Sequence, residues 1–143
     1  MSILSNYSEG QKNFGLLLLR IGIGVMFIMH GYPKLIGGPE RWESLGAAMK
    51  NLGVEYVPVV WGFLGAITET FGGFLLMVGI LFRPACLFLM FMMIVAASTH
   101  FDADNTLFKN IMSASHVIEA GILFLSLLFI GPGNYRFQKV VIE

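Results

Sequence analysis

The sequence predicts an all-α membrane protein: a four-transmembrane-helix bundle with a short amphipathic helix in the first loop, one domain over residues 1–143. Three observations predict it. Apolar residues make up 56% of the chain and mean hydropathy is +0.75, above the roughly 45–50% apolar content of soluble domains. The excess is gathered into four runs, each of a length to cross a hydrocarbon core about 30 Å thick, which takes about 17–25 helical residues. The links between runs are rich in glycine, proline and charge, which end helices.

The first run covers about 14–30 and contains LLLLRIGIGVMF. The stretch before it is polar and lacks a basic segment running into a short apolar core, so it predicts a retained helix rather than a cleaved signal. In the first loop, GGPERWESLGAAMKNLG places Trp42, Leu45, Ala48 and Met49 at helical spacing, the pattern of a surface helix with its tryptophan at headgroup level. The second run covers about 56–82 and the third about 84–100, joined by LFRPA. That link is short enough to demand an antiparallel hairpin, with Pro84 in the first turn of the new helix. The fourth run, about 111–130, stops at GPGN.

Four crossings put both termini on one side. Lys12, Arg83, Arg136 and Lys139 fall there; Lys34, Arg41, Lys50 and Lys109 fall on the side of the two larger loops. The counts tie. The expected location is a cytoplasmic (inner) membrane, crossed several times; the first set clusters at helix ends, so the positive-inside rule leans to termini on its cytoplasmic side.

Nine basic and nine acidic residues leave no basic excess for nucleic acid. A single cysteine, Cys86, excludes an internal disulfide and a Cys-x-x-Cys motif. No flavin or nucleotide motif is present.

Charges within membrane helices face the protein interior and find partners. Arg20 sits in run one, Glu69 in run two and Glu119 in run four. At about 1.5 Å per residue, Arg20 lies about 9 Å from the terminal side and the acids about 16–18 Å, a gap much of which a long arginine stem can span. The expectation is a buried ion pair of Arg20 with Glu69, Glu119 or both. Helical projection puts Gly62, Gly65, Ala66, Gly72, Gly73 and Leu76 on the face of Glu69. It groups Gly24, Phe27, Gly31 and Lys34 with Arg20, and Met112, Ser115, His116 and Ser126 with Glu119. Two readings stay open: a clamp fixing helix pairing, or a clamp that also relays protons through Glu69 and Glu119 or holds a polar head.

His30, His100 and His116 all fall toward the loop side, near Lys34. They read as ordinary interfacial histidines, as ligand-binding residues around a quinone-like headgroup with Lys34, or as donors to a metal or haem. Their spacing matches no compact metal motif.

The strings LLRIGIGVMFIMHGYPKL and ETFGGFLLMVGILFRPACLFL, with Arg20, Gly24, Phe27, His30-Gly31, Lys34, Glu69, Gly72-Gly73, Gly79 and Arg83, together resemble the DoxX family of small bacterial membrane proteins over about 14–130. The resemblance implies a four-helix membrane bundle. Some relatives are described as the small subunit of a thiosulfate–quinone oxidoreductase, others as membrane partners of soluble redox or peptide-modifying enzymes. The expectation is therefore an integral membrane oxidoreductase subunit binding a quinone-like carrier and working with a soluble or membrane partner. The alternative is a non-enzymatic scaffold or a small-molecule, haem or metal binder recruiting such a partner. A homo-oligomer is compatible with either.

Overall fold

The computed structural model describes residues 8–137; Lys139 and the rest of both termini lie outside them. The described residues are all-helical: α1 (Glu9–Leu35), α2 (Gly38–Gly46) continuing as a 3-10 segment (Ala47–Leu52), α3 (Pro58–Val78), α4 (Phe82–Ser98), α5 (Leu107–Ser113) and α6 (Ser115–Ile130).

α1 starts earlier than its apolar run because Ser8 and Gln11 form a capping box over its first turn. It ends two residues after Pro33. Its apolar stretch and that of α3 are the two helices long enough by themselves to cross a bilayer. The fourth run is not one straight helix: α5 and α6 meet at a 69° bend, and together they make a third candidate span. α4 has 17 residues, about 26 Å of helix, just short of the hydrocarbon thickness. The α3–α4 link is the tight hairpin that LFRPA predicts, moved back a turn. Gly79 and Leu81 both take left-handed conformations (φ +75° and +45°), α4 begins at Phe82, and Pro84 stands in its first turn.

Helices α1, α3, α4 and α6 run alternately up and down, each packing on the next in that order. The α1–α3 contact is backbone-close. A Cβ on Gly24 would lie 2.6 Å from the Gly73 carbonyl oxygen, and one on Gly73 would lie 2.8 Å from that of Gly24. Small residues are how membrane helices gain contact without a hydrophobic driving force between them. The buried side of α3 is Gly62, Gly65, Ala66, Glu69, Gly72, Gly73 and Leu76, the face projected from sequence. Leu76, Phe82, Cys86, Leu89, Met93, Phe124 and Leu127 form the apolar core. Phe27 closes the ring of helices edge-on to Phe124, centroids 4.9 Å apart.

The projected inner face of run four is overturned. His116, Glu119 and Ser126 lie on the exposed side of α6, while Phe124 and Leu127 are buried. The helix is apolar nearly all round, and the bulk needed to fill the core sits on the phenylalanine side. Outward-facing Phe71, Phe74 and Phe129 are all exposed, an apolar coat that suits lipid.

Candidate functional site

α1 and α2 lie end to end along α3. The N-terminal half of α1 overhangs the C-terminal end of α3, and Gly31 abuts Thr70 and Glu69 half-way up. α2 covers the first turns of α3, where Gly62 faces the Trp42 backbone. The lysine in the last turn of α1 therefore meets the middle of α3.

Lys34 Nζ stands 2.6 Å from Oε2 and 2.9 Å from Oε1 of Glu69. The carboxylate side chain is 8% exposed and the lysine side chain 27%. Trp42 Nε1 donates to the Lys34 carbonyl at 3.0 Å and its ring packs on Phe63, which ties α2 to the pair. Beside the pair opens a cavity of about 420 Å³ between the α2–3-10 segment, α3 and α4. Met49, Trp61, Phe88 and Met92 are among its walls, with Lys34 and Glu69 at its polar end. Size, apolar walls and a few polar groups are the usual form of a small-molecule site.

The expected pairing of Arg20 with Glu69 or Glu119 is corrected. Arg20 is 1% exposed, but its Nη2 donates to the Met77 carbonyl at 3.2 Å and its Nη1 to the Pro132 carbonyl. Its cation also lies 5.9 Å from the Phe82 ring centre. Met77 is one residue from the end of α3, and Pro132 follows α6. The guanidinium thus caps an orphan carbonyl at the C-terminal end of α3, where partial negative charge collects, and ties it to the segment just past α6. A Cβ on Gly79 would lie 3.0 Å from Nη2, so glycine there leaves the guanidinium its room. Because α1 overhangs, Arg20 is level with the ends of α3 and α6 rather than deep among them. The helices do not start at one plane, so residue counts from a common surface put Arg20 deeper than it lies.

The histidines do not converge. His30, His100 and His116 are exposed, and none lines the cavity. His116 Nδ1 is 4.0 Å from Glu119 Oε2, with side chains 96% and 73% exposed, so Glu119 has no link to Glu69. Among the described residues, no three His, Cys, Asp or Glu side chains gather as a metal site. The Lys34–Glu69 pairing, which the sequence analysis does not contain, had a signal: Lys34 and Glu69 both sit on inward faces, but counting Lys34 with the loop-side charges hid it.

A profile of the DoxX family matches residues 15–102, more than half of the chain and inclusive of Arg20, Lys34 and Glu69. The chain belongs to the DoxX family. No curated protein and no solved structure matches it. Family membership and the apolar helices together make this DoxX-family chain a multi-pass membrane protein in a lipid bilayer.

Proposed function

We propose that this chain is a four-span subunit of a membrane oxidoreductase system that binds a quinone-like, lipid-soluble carrier between the α2–3-10 segment, α3 and α4. The observation that carries the reading is the cavity of about 420 Å³ with apolar walls and the Lys34–Glu69 pair at one end. An ammonium has three donors. Two are directed to the Glu69 oxygens, which leaves one for a carbonyl of a bound headgroup. Glu69, in contact with that ammonium, is the group to hold or pass a proton; Phe88, Phe91 and Met92 line the region where a ring and tail would rest. Electrons come from a partner protein, since the chain has no flavin or nucleotide motif. On this reading the bent α5–α6 pair and the thin α4 both cross, both termini face the cytoplasm, and the membrane is a bacterial inner membrane.

The test is a short-chain quinone titrated into purified protein while melting temperature is followed. Wild type should be stabilised in a saturable way, as any ligand of the folded state requires. Lys34→Met should lose the shift, and His30→Ala and His116→Ala should retain it. Unchanged melting of the wild type at saturating quinone ends the quinone reading and leaves a membrane protein that binds some other apolar molecule.

A further inference from the structure

A second cleft lies at the opposite end of the bundle, where α1 overhangs. It measures about 430 Å³ and is lined by apolar Leu17, Ile21, Met77 and Val78, by Tyr135, and by two arginines, Arg20 and Arg136. The returning segment after α6 builds its far wall. Asn134 N donates to Asn13 Oδ1 at 2.8 Å, and Phe137 N donates to the Val78 carbonyl at 3.2 Å. Neither arginine forms an ion pair among the described residues. Arg20 carries five N–H donors, and two are committed to the Met77 and Pro132 carbonyls. Its Nε is fully buried and has no hydrogen-bond partner. Arg20 is 1% exposed and lies behind the cleft wall as an unpaired buried charge, while Arg136 is exposed at the cleft; what suits two such cations is an anionic oxygen group such as phosphate.

The walls decide what carries that phosphate. The cleft is apolar apart from the arginines, opens between lipid-facing positions such as Ile21, which is 42% exposed, and is level with helix ends, where headgroups lie. We infer that this cleft is a binding site for an anionic phospholipid, with its phosphate on Arg136, the buried charge of Arg20 behind it, and an acyl chain along Leu17, Ile21 and Val78. Such a lipid would tie α1 to the segment after α6 at the end of the bundle away from the Lys34–Glu69 cavity, and the site stands whatever that cavity binds.

Native mass spectrometry of the detergent-purified full chain, with phosphatidylglycerol or phosphatidylcholine of the same acyl chains, tests this. Wild type should retain phosphatidylglycerol roughly five-fold or more over phosphatidylcholine, the factor that one near-surface basic residue supplies. Arg136→Gln should erase most of that preference. Ile21→Trp, which fills the cleft and leaves both charges, should lower retention as well, while Lys50→Gln at the other end should change nothing. Equal retention of the two lipids by wild type overturns the site. Loss in Arg136→Gln without loss in Ile21→Trp also overturns it, as diffuse attraction to a charged surface. Inorganic phosphate alone raising the melting temperature as much as phosphatidylglycerol would assign the arginines to a free anion and remove the lipid.

Discussion

Glu69 is 6% exposed in the middle of α3, and its partner Lys34 reaches it from the last turn of α1. Removing the lysine strands a carboxylate among apolar groups; removing the charge of the acid leaves an ammonium that is partly in contact with solvent. Lys34→Met should therefore cost about 3–5 kcal/mol, the range for breaking one side of a buried pair. Glu69→Gln, which still accepts a hydrogen bond, should cost less, and thermal melting of both variants checks the order. Arg20 is a different kind of buried charge. Its fork spans two backbone carbonyls on separate elements, which a single ammonium does not reproduce. Arg20→Lys should lower the melting temperature more than Asn13→Ala, because the hydrogen bond that Asn13 accepts from Asn134 N lies at the exposed surface. Equal melting of the two would mean that the carbonyl clamp contributes no more than that exposed bond.

Among the elements, the α1–α3 contact depends on the absence of side chains at one register. Gly24 and Gly22 lie two residues apart on the same helix, and alanine raises helix propensity at both. A Cβ on Gly22 meets nothing within 4 Å, whereas one on Gly24 meets the Gly73 carbonyl and Met77. Gly22→Ala should be neutral or slightly stabilising. Gly24→Ala should destabilise by about 1–3 kcal/mol, the usual cost of overpacking. Comparing the two by thermal melting separates packing from propensity, and equal effects would place α1 further from α3 than the structure has it. α2 acts through the same logic: it lies on α3 because Gly46 and Gly62 allow backbone contact, and Trp42 then locks to the Lys34 carbonyl.

At the scale of the whole molecule, the helices differ in how they meet a bilayer. α1 and α3 span by length and hydropathy, α5–α6 spans if the 69° bend lies within the membrane boundary, and α4 is an apolar helix of 17 residues. On the four-span reading proposed above, all of them cross. Reporter tags at Ser2 and Glu143 should then appear on the same side of the membrane. Tags on opposite sides would make α4 or the bent pair a re-entrant element and leave three crossings.

Much of this was legible in the residues. The all-helical class follows from long apolar runs, since only helices or closed barrels satisfy backbone groups in lipid, and these runs lack the alternation of a barrel strand. The inward faces of α1 and α3 were legible because glycines, Arg20, Lys34 and Glu69 stand out on an otherwise bulky apolar surface. The inward face of α6 was not, because His116, Glu119 and Ser126 do not mark the interior as Glu69 does on α3, and the orientation of a mostly apolar helix depends on which bulk fills the core. The candidate site was legible as residue types but not as partners. Sequence spacing sets how far apart residues lie along one helix. How helices are offset against each other is settled by backbone approach at Gly24–Gly73 and Gly31–Thr70. That offset, which periodicity does not encode, gave Glu69 to Lys34 and moved Arg20 to the helix ends.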